Sequence, residues 1–360
     1  MLRNVQKYVY LGTPIYKSSR LENEYIADRI RNAYKHTWRL KAIGSKSVQI
    51  NPVTFSRGFW MAIVPSLIYG FCIMKIGCNN LKLLDSMQIN IAKNIQGLVA
   101  NTPAIVALAS LKWCRISTHI MQEAVNFMFR ILLMPTMNIY KKVLIDGLFC
   151  AKSKDFKNLG NGPIAYFIEQ CVACNMFEQL DKILSNGNID STICYKAKVK
   201  DQVVKREHKS WVATSLLYKH LQEFKATDIT LITGYRWWKV AKWQSDVLYK
   251  VKAMLKLIVT NYEKIGFKCD CNCKITVAHI LFVCPIVTDV RRVCWICCEN
   301  EMPSTMKAQI QSMNVDDKIR FIYNCLQCSP IYEWKNVYVT VLNFVYFVSK
   351  EWHKNIKQEQ

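Results

Sequence analysis

Acidic side chains are scarce in this chain. Only 26 Asp and Glu face 49 Lys and Arg over 360 residues, a formal net charge of +23. An imbalance that large calls for a polyanionic partner, either nucleic acid or an anionic membrane surface. Tryptophans and tyrosines interleaved with the cations favour nucleic acid, RNA or DNA. An apolar leader core is also missing from Met1-Leu-Arg-Asn-Val-Gln-Lys-Tyr8. The 16 cysteines therefore read as reduced thiols in a nuclear or cytoplasmic setting, most of them small core residues. Long hydrophobic runs are lacking too. The longest candidate, Gly58 to Met74, is 17 uncharged residues interrupted by Pro65 and Gly70. That is the lower limit for a bilayer span, so it reads as a buried core element and a membrane partner is not expected. No glycine-rich phosphate loop, nucleophile elbow or His-Glu-x-x-His is present, and no small-molecule substrate is indicated. No internal repeat or low-complexity tract appears.

The chain does contain a dense thiol cluster, Cys269-Asp-Cys271-Asn-Cys273, followed by His279 and Cys284-Pro285. Zinc takes four N or S ligands in a tetrahedron, and a Cys-x-Cys pair with His-x4-Cys supplies two and two. A structural zinc on Cys269, Cys271, His279 and Cys284 is the expectation. Cys273 is a surplus thiol that could replace either of the first two. Three further pairs, Cys171/Cys174, Cys294/Cys297 and Cys325/Cys328, have metal-like spacing. They lack a histidine at finger spacing and sit among apolar residues at helical spacing, so core packing is expected of them.

Periodicity indicates a mainly α fold behind a short β lead-in. Aromatic and β-branched residues around Leu11-Gly12-Thr13-Pro14 suggest strand pieces and a turn. Ser19-x-x-Glu22 reads as a capping box for a helix carrying Ile26, Ile30, Ala33 and Leu40 and ending near Gly44. Leu84, Met87, Ile91 and Ile95 mark another helix, stopped by Gly97. Pro103 opens a short helix. Ser117 is placed to cap one that carries Ile120 and Ala124 and ends at Pro135. Residues 152–163 read as a linker and Ser185-Asn-Gly-Asn as a turn.

From Lys196 to Lys256 the chain is basic and aromatic. Arg236, Trp237, Trp238, Lys239, Lys242 and Trp243 combine phosphate-neutralising cations with ring faces on which unpaired bases stack. Buried tryptophans with a solvated lysine face would produce the same pattern. The earlier run Lys196, Lys198, Lys200, Lys205, Arg206 and Lys209 reads as an exposed helix face, whose phosphate contacts would carry no sequence preference.

Taken in order, several motifs resemble the C-terminal portion of a non-LTR (LINE-type) retrotransposon reverse transcriptase. They are Tyr10-Leu11-Gly12, Val64-Pro65-Ser66-Leu67-Ile68-Tyr69-Gly70, Gln88 with Gly97-Leu98 and Pro103, Met254-Leu-Lys-Leu-Ile-Val-Thr260, and the cysteine–histidine cluster. The resemblance implies an end-of-palm β remnant over 1–15, a helical thumb-like region over 16–150, and a linker with a basic aromatic helical region over 151–265. A CCHC zinc knuckle over 266–290 and a helical tail over 291–360 complete it. In that family the catalytic aspartates lie upstream of the Tyr-Leu-Gly block, and only nine residues precede Tyr10 here. Asp316-Asp317, the one Asp-Asp pair, is placed to start a helix rather than to bind Mg²⁺. The resemblance therefore implies a nucleic-acid-binding fragment without polymerase activity of its own. A helical scaffold or interaction protein with a structural zinc is the alternative.

Overall fold

The computed structural model describes residues 7–10, 13–16, 19–43, 50–153, 163–186, 195–216, 248–260, 262, 266–324 and 335–358. The fold is mainly α. Strands β1 (Lys7–Tyr10) and β2 (Thr13–Tyr16) pair antiparallel, Lys7 opposite Tyr16. Helix α1 (Ser19–Ile43) follows, then α2 (Pro52–Gly58), a π turn (Phe59–Ile63), α3 (Val64–Ile68) and α4 (Cys78–Gln96). Next come α5 (Ala104–Ala109), α6 (Ile116–Leu132), α7 (Ile139–Ser153), α8 (Pro163–Ala173), α9 (Phe177–Asn186) and α10 (Tyr195–Leu216). The rest comprises α11 (Leu248–Val259), β3 (Phe267–Lys268), α12 (Thr288–Asn300), α13 (Ser304–Ser312), α14 (Val315–Asn324), α15 (Lys335–Asn355) and β4 (Lys357–Gln358).

The chain clusters into two compact units. The first comprises 1–43, 57–89 and 114–210, the second 44–56, 90–113 and 211–360. In the first unit, Met128, Phe129 and Leu132 of α6 are buried with Leu148 of α7, Phe167 and Cys171 of α8, Leu180 of α9 and Val199 and Val203 of α10. A Cβ on Gly147 would come within 1.9 Å of Ile164 Cδ1, so a glycine in α7 lets α8 lie close. Cys171 and Cys174 are both buried, as expected of core thiols, whereas Cys294 is half-buried and Cys297 exposed, contrary to the core packing expected of that pair.

The uncharged segment 58–74 belongs to the first unit. Pro65 has no N–H to offer the preceding turn, and the helical ladder widens into the π turn just before it. Gly70, at φ 84°, then breaks the helix. Phe59, Ile63, Val64, Leu67 and Phe71 are buried. No described helix is long and apolar enough to cross a membrane.

Two helix starts depart from the local capping expected. Ser117 lies inside the first turn of α6 rather than before it. Its N–H and hydroxyl both donate to Asp85 of α4, at 2.9 and 2.6 Å, and Gln88 Oε1 accepts from Ile116 N at 2.9 Å. Two orphan N–H groups of α6 are thus satisfied by a neighbouring helix rather than by the Ser117 side chain. Glu22 likewise reaches across to the start of α4, accepting from Gly77 N at 3.0 Å and Asn80 Nδ2 at 2.8 Å.

In the second unit, the buried positions of α15, among them Tyr338, Leu342, Phe344, Val345, Val348 and Trp352, form the apolar spine. Both α11 and α12 pack on it. At the end of the 90–113 segment, Trp113 is fully buried and donates its Nε1–H to Ser56 Oγ at 3.0 Å. Gln96, also buried, donates to Ala107 O at 2.7 Å and accepts from the Ser110 hydroxyl. These polar atoms are buried but partnered, which is the condition for tolerating them in a core. Asp316 and Asp317 fall in the first turn of α14, with Asn314 capping Asp317 N at 2.8 Å, so the acidic pair opens a helix as its setting suggested.

Candidate metal centre

The cysteine–histidine site is assembled by short local devices. Gly266 at φ 74° turns the chain into β3, whose Phe267 N donates to Tyr262 O at 3.2 Å. β3 pairs with β4, Phe267 opposite Gln358 and Lys268 opposite Lys357. Immediately after β3, Asn272 adopts φ 57° and its N–H returns to Cys269 O at 2.9 Å. That tight left-handed turn aims Cys269 and Cys271 at one point and leaves Cys273 exposed. Thr276 then caps the next turn through Oγ1 to His279 N, 3.0 Å. A π turn over His279–Val283 follows, and Cys284 N closes onto His279 O at 2.7 Å. Pro285 stops the helix directly after the last thiol.

Cys269, Cys271, His279 and Cys284 place their ligand atoms all within 4.8 Å of one another. Cys269 Sγ stands 3.5 Å from Cys284 Sγ and 3.2 Å from Cys271 Sγ. His279 Nε2 lies 3.4 Å from Cys269 Sγ and 3.3 Å from Cys271 Sγ. A tetrahedral zinc with ordinary bond lengths would set S–S edges of about 3.8 Å and S–N edges of about 3.5 Å. These four edges are about 0.1 to 0.6 Å shorter, and the donor set is one such an ion accepts. The four residues fit a divalent metal.

The electrostatics divide the thiols. Burial pushes Cys269 up to about 12. At Cys271 burial also acts upward, but the Cys273 N–H and neighbouring thiol hydrogen bonds outweigh it and hold the group below its ordinary value. Burial, helped by Arg291, lowers His279, which favours the neutral imidazole that a metal needs. Arg291 Nη1 donates to Cys284 O at 3.0 Å, which fixes a cation beside Cys284 and His279.

Behind the cluster stand residues that local pattern did not flag. Tyr262 meets Trp352 edge-on with ring centroids 5.4 Å apart, and lies 5.9 Å from Phe267. His353 Nδ1 is 2.6 Å from Ser349 O, and its Nε2 is 3.3 Å from Tyr262 OH. A carbonyl only accepts, so Nδ1 carries the proton and Nε2 accepts from the phenol. The β3–β4 pair and this aromatic group tie the approach to Cys269 onto the end of α15. The partners are about ninety residues apart in sequence, and each strand is only two residues long, so no local signal announces them.

Arg236, Trp237, Trp238, Lys239, Lys242 and Trp243 lie outside the described residues, as do Cys325 and Cys328. The other basic run is described. Lys196, Lys198, Lys200, Lys205, Arg206 and Lys209 of α10 are all exposed. No family model matches the chain, and neither a curated protein nor a solved structure matches it.

Proposed function

We propose that this chain is a nucleic-acid-binding protein built around a structural zinc site, resembling the C-terminal portion of a non-LTR retrotransposon reverse transcriptase and without polymerase activity of its own. The observation that carries the reading is uncompensated positive charge. The chain holds +23 overall, and α10 alone turns six cations to solvent. Asp201, paired with Lys205 at 2.7 Å, offsets only one of these. Such a surface attracts a phosphate backbone without reading its sequence. Zinc held by Cys269, Cys271, His279 and Cys284 would act as a cross-link between the turn after β3 and the segment entering α12. A nuclear or cytoplasmic setting, where thiols stay reduced, belongs to the same reading.

The test is binding of the zinc-replete chain to a short single-stranded RNA and to the matching DNA over a salt series. Log affinity should fall linearly with log salt, by about 0.7 per phosphate contacted. No association even at low salt would remove the reading. A second reading, a helical scaffold for another protein, is supported by the outer side of α7. There Ile139, Tyr140, Val143 and Phe149 are exposed.

A further inference from the structure

The C-terminal half of α1 presents a tryptophan to solvent among cations. Trp38 is 61% exposed, although an indole is normally much more buried. Residues three or four apart share a helix face, so exposed Arg31, Lys35 and Arg39 form a row with Trp38 beside it. Lys41 Nζ sits 4.8 Å from the Trp38 ring centroid. Arg31 is paired with Asp28 at 2.9 Å, but among the described residues Lys35 and Arg39 have no carboxylate partner. The buried side of the same helix is set by Ile26, Ala33 and Thr37. Compensation of the helix dipole does not explain the row. That effect fades within the last turn, and Lys35 lies about two turns before the end at Ile43.

A flat apolar ring set among uncompensated cations matches a polymer that alternates a π-face with an anion. An apolar protein partner would leave Lys35 and Arg39 without counter-charges. A duplex hides its base faces in the stack, so the complementary ligand is a single strand.

We propose that the face of α1 formed by Lys35, Trp38 and Arg39 is a single-stranded nucleic-acid contact, with Trp38 stacking on an unpaired base while Lys35 and Arg39 meet flanking phosphates. It rests on the nucleic-acid reading above and assigns part of that binding to a place. The contact is independent of sequence, because every base offers a π-face.

The experiment uses the full zinc-replete chain, a labelled short single-stranded RNA, its duplex, and vesicles of anionic lipid. Wild type is compared with Trp38→Ala, Trp38→Phe and the double variant Lys35→Gln/Arg39→Gln. All three positions are on the surface, and unchanged far-ultraviolet circular dichroism verifies folding. Trp38→Ala should weaken single-strand binding about five- to hundred-fold with its salt slope unchanged, and Trp38→Phe should lose less. The double variant should lower the slope by about 1.4, at roughly 0.7 per lost phosphate contact. Duplex binding should not respond to Trp38. RNA binding by wild type that neither Trp38→Ala nor the double variant alters overturns this assignment and leaves the general reading standing. So does an equal loss on single strand and duplex, or a Trp38 effect on vesicle binding alone. Absence of any RNA binding by wild type removes both.

Discussion

Cys269 and Cys284 hold their sulfurs 3.5 Å apart across fifteen residues of chain. A disulfide would require about 2.05 Å, and unrelated buried thiols have no reason to converge with a third sulfur and an imidazole nitrogen. The spacing is compatible with two ligands of one metal ion. Burial pushes the Cys269 thiol up to about 12, so its thiolate is disfavoured unless a cation stands beside it.

Purified protein should accordingly carry one zinc per chain, measured by elemental analysis after metal-replete expression. His279→Ala should lower the metal content and the melting temperature, whereas Cys273→Ser should do neither, since that thiol is exposed and outside the cluster. Acidification should release the metal, because the ligands must be deprotonated to bind. Protein free of zinc at neutral pH would refute the site.

The contact between Asp85 and Ser117 has a pH signature. Burial raises the Asp85 carboxyl above its ordinary value despite the hydrogen bonds from Ser117. A carboxyl raised on folding contributes stability that is present at low pH and is lost as pH rises through its folded-state value. Asp85→Asn removes that titration. The melting temperature of wild type relative to Asp85→Asn should therefore fall as pH rises through the acid range, just above where free aspartate titrates. Asp85→Ala should cost about 1–2 kcal/mol in chemical denaturation, the usual loss for a helix cap.

His353 should act in the opposite sense. Although the residue is exposed overall, its ring packs against Tyr262, Phe267 and Trp352, and burial lowers its pKa. A depressed histidine contributes stability that is present above its unfolded value and lost as pH falls through the folded one. Protonation at Nε2 also removes the acceptor for Tyr262 OH. Tyr262→Phe should lower stability by about 1 kcal/mol at neutral pH, and by less once His353 is protonated. Thermal melts of both proteins from neutral to mildly acid pH measure the difference.

Gly97 ends α4 at φ 68°, with its N–H bonded to Asn94 O at 3.2 Å and Leu98 N to Lys93 O at 2.9 Å. Gly97→Ala should cost about 1–2 kcal/mol, because the left-handed backbone crowds a Cβ. An unchanged denaturation midpoint would show that the helix end relaxes freely.

Much of this architecture is local, and to that extent the sequence determined it. Leu84, Met87, Ile91 and Ile95 are all buried on α4, because one hydrophobic stripe at helical spacing has only one face to bury. Gly97 and Pro103 bound their helices for reasons of backbone geometry alone. The metal candidates were legible because donor chemistry and spacing are both local. The choice among Cys269, Cys271 and Cys273 was not, since it depends on the left-handed turn at Asn272. Tertiary structure alone decided that Asp85 and Gln88 cap a helix about thirty residues away. It also brought 50–56 and 90–113 into the unit that carries Cys269, Cys271, His279 and Cys284, and left Trp38 in solvent while Trp113 went to the core. Those outcomes depend on which faces meet after the chain has turned back on itself, and that pairing is a property of packing rather than of any short window of residues.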